Sequence, residues 1–311
     1  MSVFYFFKTM GYIFLLLFFI VAPVAAATPL SESSKVVINL PSCTLQVYYG
    51  NTISKEYSVA IGKPSTPTPL GNFYIIDKER NPTWIPPGRD YVVSSGPDNP
   101  LGYRWMEFLP MYGIHGTNAP WTIGMDVSNG CVRMLEEEAE ELFELVTFGT
   151  PITITYDRVR IDVNNNGEAS IGIYPDIYGY KTLSLENVYE KLSEYGYKGF
   201  VREEFLLPIL KEEAGKLVKF AKLKNLKVNG ILLSKGAMWI GNNTYVPVWG
   251  VAAACKSSFI WDDDKQLIWK NNIAYPGLIK DNIIYSKIED VQVLFNLKQV
   301  YQDNENLELM E

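Results

Sequence analysis

Short segments that alternate apolar and polar residues constrain the fold of this 311-residue chain most strongly. Three of them, KVVINL, TLQVYYG and KEYSVAIG, follow one another between Lys35 and Gly62. They are rich in β-branched and aromatic residues, which is typical of strands, and YGN predicts a hairpin turn between the second and third. NFYIID and TPITITYD continue the pattern. We therefore expect a mainly β domain over residues 35–156, either sandwich-like or barrel-like.

One helix interrupts this β pattern. The segment LEEEAEELFELVTFG runs from Leu135 to Gly149, directly after a turn that contains Cys131. Its apolar residues Leu142, Leu145 and Val146 would share one helix face, and the glycine is a typical stop. The fold prediction for this domain therefore includes one helix after the cysteine turn.

Residues 157–222 change in character. The segments SLENVYEKLSEYGYKG and REEFLLPILKEEAGKLVKFAKLK have helical periodicity, with Ser184 as an N-cap for the first. DVNNNG matches the start of a calcium loop, but the twelfth position would be Ile173 instead of Glu, so we interpret it as a plain turn. A helical linker is the expected structure of this region.

Residues 223–309 contain an apparent internal repeat at an offset of 40 residues. Each unit is interpreted as strand, short helix, strand, acidic turn and strand, which predicts a small duplicated α+β domain. Chance similarity between two β-rich stretches is the alternative. The residues aligned by the offset are Tyr245, Val251, Asp263 and Leu267 with Tyr285, Val291, Asp303 and Leu307.

The N-terminus and the net charge bear on location and partners. Residues 1–27 combine Lys8, an apolar core and small residues at Ala25–Ala27, which is typical of a cleaved signal peptide. The alternative is an uncleaved anchor that spans the membrane through residues 9–27. Both interpretations export the rest of the chain. The net charge of −7 argues against a nucleic-acid partner.

His115 is the only histidine, and Cys131, one of three cysteines, lies 16 positions after it. A thiol attacks as its thiolate and needs a base, which is usually histidine because imidazole titrates near neutral pH. Gly116 and Gly130 flank the pair and permit close backbone approach. A zinc site is disfavoured because one histidine and scattered cysteines cannot supply the usual ligand sets. A purely structural role for both residues remains open at this point.

The surrounding motif favours a catalytic pair. IHGTNAPWTIGMDVSNGCVRM resembles the signature of the L,D-transpeptidase catalytic domain, also called the YkuD-type domain: H-G-T, a loop, then S-x-G-C-[IV]-R-[ML]. The resemblance extends through VAIGKPSTPTPLGNFYI, NPTWIPP and DNPLGYRWMEF to GTPITI, and covers about residues 36–156. Many members carry a second histidine where this chain has Asn129, so His115 would act as base without a second imidazole.

The resemblance implies an exported cell-wall enzyme that acts on peptidoglycan stem peptides, with no metal or organic cofactor. Cys131 would attack the peptide carbonyl, His115 would take the thiol proton, and a backbone carbonyl near Gly116 would orient the imidazole. N–H groups around Gly130 and Cys131 would form the oxyanion hole. The candidate substrate-binding residues are Arg133, Ser128, Thr117, Asn129 and Trp121.

Two of these assignments have structural alternatives. Arg133 could bind a substrate carboxylate or form an ion pair with the Glu-rich helix. Trp84, Trp105 and Trp121 could wall the cleft or belong to the core.

Three functions remain in competition at the level of sequence: a transpeptidase, a hydrolase acting as an L,D-carboxypeptidase, and a catalytically silent wall-binding protein. Retention of both His115 and Cys131 favours an enzyme.

Residues 223–309 resemble the copper amine oxidase N-terminal-like domain. The segments with this resemblance are VNGILL, NNTYVPVWGVAAAC and FIWDDDKQLIW. This resemblance implies an attachment module of an exported protein, located in the cell wall or at the outer face of the cytoplasmic membrane of a Gram-positive bacterium, and it does not imply copper.

Overall fold

The computed structural model describes residues 34–86 and 88–311. The predicted signal peptide or anchor at residues 1–27 lies outside these ranges. Within them, no helix is both long and apolar enough to cross a membrane.

The half of the chain up to Thr155 is mainly β, as predicted. The three alternating segments near its start form successive strands. The second and third of these strands are antiparallel partners, and Tyr49 pairs with Thr52 across the YGN turn. Its elements are β1 (Ser34–Asn39), β2 (Thr44–Tyr49), β3 (Thr52–Ser58), β4 (Ile61–Gly62), β5 (Gly71–Tyr74), β6 (Asp77–Arg80), β7 (Arg104–Leu109), β8 (Tyr112–His115), a 3₁₀ turn (Pro120–Thr122), β9 (Asp126–Ser128), β10 (Val132–Arg133), α1 (Glu136–Leu145) and β11 (Pro151–Thr155).

Two sheets enclose the core of this half. One has the strand order β3-β2-β1-β11-β5, the other β10-β8-β7-β6, and β4 pairs with β9 between them. Alternate residues of both sheets point inward, for example Ile38 and Ile152 from the first and Met106 and Ile114 from the second. This arrangement follows from the two-residue period of a strand, which places one face of each sheet against the apolar core.

The single helix after the cysteine turn is present. Three glutamates occupy its first turn, where the partial positive charge of a helix N-terminus favours anions. Leu142 and Val146 are buried as expected, but Leu145 is 39% exposed and Phe143 is buried instead. The buried face is therefore rotated from the predicted one, and its residues Ala139, Leu142, Phe143 and Val146 have the i, i+3, i+4, i+7 spacing of one helix face.

The second half combines helices with one large sheet. The helical linker prediction is wrong as a description of residues 157–222, because strands at both ends of this region join that sheet. The elements are β12 (Val159–Val163), β13 (Ala169–Ile173), α2 (Leu185–Glu194), α3 (Glu203–Glu212), β14 (Val218–Val228), β15 (Ile231–Leu232), β16 (Ala237–Ile240), β17 (Asn243–Pro247), α4 (Val248–Ala254), β18 (Ile260–Asp262), β19 (Leu267–Lys270), β20 (Ile273–Pro276), β21 (Leu278–Lys280), β22 (Ile283–Lys287), α5 (Ile288–Phe295), β23 (Lys298–Gln302) and β24 (Asn306–Met310).

Two local predictions for this half are confirmed. Ser184 caps α2 through a capping box with Asn187. The DVNNNG segment is a hairpin turn between β12 and β13, in which the Asn164 side chain accepts hydrogen bonds from the N–H groups of Asn166 and Glu168 at 3.0 Å. β14 begins inside a segment expected to be helical. Its pairing with β13, β16 and β24 outweighs the weak helical periodicity of the sequence.

The strand and helix pairs of residues 237–310 recur at the offset seen in the sequence. β17 and β22 begin 40 residues apart and pair with each other, and each is followed at once by a helix, α4 or α5. The domain boundaries and the duplication itself stay predictions.

Candidate active site

The parallel pairing of β10 with β8 brings the two halves of the sequence motif together. In this register Arg133 is paired with His115, and Val132 with Ile114. On the other side of β8, Trp105 of β7 is paired with His115, and the two rings stack at 5.6 Å between centroids. Because paired residues point to the same face of a sheet, Trp105, His115 and Arg133 form one row.

The turn before β10 is held by Ser128. Its hydroxyl donates a hydrogen bond to the Cys131 carbonyl at 2.6 Å and accepts one from the Gly130 N–H at 3.0 Å. Gly130 has a φ of +113°, and a Cβ there would lie 2.5 Å from the Tyr112 ring. Only glycine therefore fits this position without strain. This turn fixes the direction in which the Cys131 side chain points.

His115 and Cys131 line the same cleft, which has a volume of about 480 Å³. The cleft walls are largely apolar or aromatic, as is usual for small-molecule sites. The lining residues are Trp84, Ile85, Pro100, Leu101, Trp105, Pro110, Met111, Tyr112, His115, Ser128, Asn129, Cys131 and Arg133.

The imidazole of His115 is buried and oriented by the backbone. Its Nδ1 lies 2.6 Å from the Gly116 carbonyl oxygen. A carbonyl oxygen can only accept, so Nδ1 carries the proton and Nε2 keeps its lone pair. Burial lowers the pKa of His115 from 6.5 to about 4, the Arg133 charge lowers it further, and the Gly116 and Leu101 backbone groups oppose the shift. The ring is therefore neutral at neutral pH.

The Cys131 thiol is partly buried in the same cleft. It contacts the Met111 carbonyl at 3.7 Å. Burial raises the pKa of Cys131, while the Gly113 N–H and the Arg133 charge act in the opposite direction. With both groups neutral at rest, the arrangement suits proton transfer from thiol to imidazole during attack and not a standing ion pair.

The two backbone N–H groups that were expected to form the oxyanion hole differ in their hydrogen bonding. The Gly130 N–H donates to the Ser128 hydroxyl at 3.0 Å, whereas the Cys131 N–H has no acceptor among residues 34–86 and 88–311. The Cys131 N–H is therefore the donor that is free in this structure, and the part of Gly130 in an oxyanion hole stays a prediction.

Arg133 does not form the ion pair considered as its structural alternative. No carboxylate of the described residues pairs with its guanidinium, and its Nε is buried without a partner. The glutamates of α1 pair elsewhere, Glu140 with Arg104 and Glu144 with Arg80. Arg133 therefore presents an uncompensated cation to the cleft, where a carboxylate would satisfy it.

The remaining candidate residues divide into lining and non-lining positions. Asn129 is exposed and belongs to the cleft lining. Thr117 is buried and its hydroxyl accepts the Ala119 N–H at 3.1 Å, so it holds a turn. Trp121 is 72% exposed and lies outside the lining, so it belongs neither to the cleft wall nor to the core, whereas Trp84 and Trp105 line the cleft. Substrate binding by Trp121 stays a prediction.

Sequence reasoning missed two contributors to this site. Gly113 lies opposite Cys131 by the register of β8 and β10, and supplies an N–H to its sulfur. Glu136, the first residue of α1, accepts the Tyr103 N–H at 2.7 Å, and its carboxylate packs against Gly116. A Glu-rich helix start was visible in the sequence, but which glutamate turns inward was not.

Metal binding finds no support in the described part of the chain. Within residues 34–86 and 88–311, no group of three or more His, Cys, Asp or Glu side chains could hold an ion. All three cysteines are free thiols.

A thiol and a neutral imidazole in one cleft of a mainly β domain form the arrangement that cysteine acyl-transfer enzymes use. Comparison with protein families agrees. Residues 33–154 match the model described as the L,D-transpeptidase catalytic domain.

Relatives of known sequence extend this match. YqjB of Bacillus subtilis, which is named as an L,D-transpeptidase, is 36% identical over 149 residues, covering 45% of this chain and 83% of its own length. YkuD of the same organism is 38% identical over 120 residues, covering 38% of this chain and 64% of its own. YcfS of Escherichia coli is 31% identical, covering 49% of this chain and 53% of its own. The chain thus spans about half to two thirds of the last two relatives.

Solved structures give a weaker likeness. The catalytic domain of an Enterococcus faecium L,D-transpeptidase matches 40% of this chain and 97% of its own at 29% identity, with a TM-score of 0.33. A score of this size carries no argument about function. From the family match and the relatives, the chain belongs to the L,D-transpeptidase family, and it is an enzyme of that type.

Proposed function

We propose that this protein is an exported cysteine L,D-transpeptidase that cross-links third-position residues of peptidoglycan stem peptides. The observation that carries the proposal is the shared cleft of His115 and Cys131, with Nδ1 bound to the Gly116 carbonyl so that Nε2 keeps its lone pair. Export rests on the sequence of residues 1–27, and the substrate on the resemblance of the motif around His115 and Cys131.

The proposed reaction runs in two halves. Cys131 Sγ attacks the carbonyl that joins the third stem residue to its terminal D-Ala, and His115 Nε2 takes the thiol proton. The Cys131 N–H donates to the developing oxyanion. The C–N bond then breaks, the imidazolium returns a proton to the D-Ala amine, and a thioester remains. A neighbouring stem amine attacks the thioester and loses its proton to His115, which restores the free thiol.

Arg133 would hold the carboxylate of the terminal D-Ala. Its unpaired guanidinium lines the cleft beside His115 and matches a carboxylate in charge and geometry. Asn129 and Ser128 complete the proposed substrate contacts on the cysteine side of the cleft.

A hydrolase that resolves the thioester with water is the second candidate. Incubation of the purified protein with a disaccharide-tetrapeptide separates the two: dimers are expected from a transpeptidase and tripeptides alone from a carboxypeptidase. Cys131→Ala should abolish D-Ala release, while Cys255→Ala, which removes a thiol in the other half, should leave it unchanged. Release that survives Cys131→Ala would refute the mechanism.

The thiol can also be tested without a wall substrate. A carbapenem presents a strained acyl group, so we expect a covalent adduct at Cys131 by peptide mass spectrometry. An adduct mapped to Cys43 or Cys255 and absent from Cys131 would contradict the assignment of the nucleophile.

Residues 223–309 are proposed to form a duplicated attachment module that resembles the copper amine oxidase N-terminal-like domain. The recurrence of β17–α4 as β22–α5 at an offset of 40 supports the duplication. Exposed apolar side chains on this half, including Trp249, support a role in attachment. Co-sedimentation of the full chain with insoluble wall material tests it, with soluble chain left in the supernatant as the contrary result.

A further inference from the structure

A tyrosine from beyond the family-matching region bonds to a loop behind the cleft. Tyr178 donates a hydrogen bond from its hydroxyl to the Gly62 carbonyl at 2.5 Å and accepts one from the Thr68 N–H at 3.3 Å. The family match ends at residue 154. Two points of the same loop, six residues apart, are thus joined by one side chain of the second half.

Tyr178 is itself held in place. Its N–H donates to the Tyr156 hydroxyl at 2.8 Å, and the two rings stack at 5.6 Å between centroids. The Tyr156 hydroxyl in turn donates to Asp176 at 2.7 Å. Arg158, which is buried, donates to the Lys181 carbonyl at 2.6 Å and fixes the far end of the segment. The tyrosine therefore reaches the loop from a fixed base.

The loop between Gly62 and Thr68 is tightly closed. The Gly62 N–H donates to the Thr68 hydroxyl at 2.9 Å. A Cβ on Gly62 would lie 2.4 Å from the Thr66 carbonyl oxygen and 2.6 Å from the Thr68 nitrogen. The backbone of the loop thus packs directly on Gly62, and a displacement at one end is carried to the other.

The same loop supports the turn that carries Cys131. The Lys63 N–H and the Thr66 hydroxyl both donate to the Ser128 carbonyl, at 3.0 and 3.1 Å. Ser128 then bonds through its hydroxyl to the Cys131 carbonyl and the Gly130 N–H. Hydrogen bonds that are linked through the Gly62–Lys63 peptide and through Ser128 therefore connect the Tyr178 hydroxyl to the backbone of Cys131.

We infer that Tyr178 is a positioning residue, through which the second half of the chain holds the loop of residues 62–68 and so the Cys131 turn in its reactive geometry. The inference rests on the proposed role of Cys131. It assigns to the second half a direct part in catalytic competence, in addition to any part in attachment. A displacement of about 1 Å between reacting groups can lower the rate about a hundredfold. Loss of a single hydroxyl that holds the Cys131 turn can therefore affect the rate.

The test compares Tyr178→Phe with Tyr180→Phe in the full chain. The first variant keeps the ring and its stacking on Tyr156 but loses both bonds to the loop. Tyr180 belongs to the same aromatic cluster, is half exposed, and its hydroxyl has no hydrogen-bond partner among the described residues, so it is the matched control. Three quantities report on the site: kcat and KM for D-Ala release from a disaccharide-tetrapeptide, alkylation of Cys131 by iodoacetamide, and amide hydrogen exchange. The melting temperature is recorded beside them as the report on global stability.

We expect Tyr178→Phe to lower kcat about ten- to hundredfold with little change in KM. The alkylation rate of Cys131 should change, and the amides of Lys63, Thr68 and Gly130 should exchange faster, while the melting temperature stays close to that of Tyr180→Phe. A merely structural role would instead lower the melting temperature and raise exchange throughout the chain. Wild-type values for Tyr178→Phe in all three measurements would overturn the inference.

Thr68→Val provides a second route to the same answer. It keeps the side-chain shape but removes the hydroxyl that accepts the Gly62 N–H, so it should reproduce the loss of kcat and the local exchange if Tyr178→Phe fails to fold. Amide exchange also separates this inference from the proposed function. If the wild-type protein releases no D-Ala, the proposed function fails, whereas faster exchange at Gly130 in Tyr178→Phe would still support the coupling.

Discussion

Both halves of the molecule contain two-residue hairpin turns, but only in the first half does a long irregular segment contribute residues to the cleft. In the second half, hairpins such as β19–β20 and β21–β22 close through Asn271-Asn272 and Asp281-Asn282, where both central residues have positive φ. These are sequence-encoded two-residue turns. In the first half, residues 81–103 follow an irregular path that depends on buried polar side chains, such as Asn99, which bonds to the carbonyls of Pro82 and Val93.

This difference explains where the chemistry lies. A regular hairpin satisfies its own backbone, so its residues need no buried polar partners. An irregular segment exposes backbone groups that only nearby side chains can satisfy, and the same exposed groups can bind a substrate or orient a catalytic ring. Asn99 and Thr117 are buried polar residues of this kind.

The largest expected effect contrasts two glycines with positive φ, one in each half. Gly130→Ala would place a Cβ 2.5 Å from the Tyr112 ring, whereas Gly241→Ala meets nothing within 4 Å. Both substitutions strain the backbone by about 1–2 kcal/mol. Only Gly130→Ala should also displace the Cys131 turn, and we expect it to lower kcat for D-Ala release about a hundredfold. Equal kcat values for Gly130→Ala and Gly241→Ala would contradict this difference between the two halves.

Arg133→Gln should have the next largest effect. The loss of a charge-assisted hydrogen bond to substrate, about 1.5–3 kcal/mol, corresponds to roughly a ten- to hundredfold fall in kcat/KM. Arg80→Gln is the control, since Arg80 forms an exposed ion pair with Glu144 on α1. Steady-state kinetics on substrates with and without the terminal carboxylate locate the effect. An Arg133→Gln enzyme that still discriminates between those substrates would show that another group binds the carboxylate.

The buried imidazole predicts a smaller, pH-dependent effect. The pKa of His115 is about 4 in the folded chain and 6.5 in its ordinary state. The unfolded chain therefore binds the proton first, and the contribution of His115 to the free energy of unfolding is present above pH 6.5 and is lost as the pH falls toward 4. Urea unfolding across this range should show the loss in the wild type and a shallower slope in His115→Gln. Parallel slopes would mean that His115 titrates normally.

The smallest expected effect is in the second half. Trp249 is 57% exposed and is not among the residues that line the cleft. Trp249→Ala should leave turnover of a soluble disaccharide-tetrapeptide unchanged within twofold, about 0.4 kcal/mol, while weakening sedimentation with insoluble wall material. A loss of soluble turnover would show that the second half contributes to the cleft by a route other than Tyr178.

The sequence predicted local structure better than pairing. Alternation in residues 35–62 predicted three strands, and the structure has β1, β2 and β3 there, with the end of the third segment split off as β4. The helix after the cysteine turn was also predicted, because both patterns depend on neighbours along the chain. The pairing of β14 with β13 and β24 could not be predicted, because strand partners are set by burial across the whole sheet.

The site shows the same limit. His115 and Cys131 were identified as a candidate pair, and they share one cleft. The register that places Gly113 beside Cys131, the inward turn of Glu136 and the exposed position of Trp121 were not predicted. The first depends on which residues of two strands pair, and the other two depend on the direction of a side chain. Residue type alone encodes neither.

The pairing of β1 with β11 also has a consequence for when the first half can fold. These strands are parallel partners in the middle of their sheet, and Val36 meets Ile152 across 116 positions of sequence. A contact between such distant positions forms late, because a long loop must close first. A growing chain therefore cannot complete this sheet until Thr155 has emerged. During synthesis, the core of the half that contains Cys131 closes only when its last strand arrives.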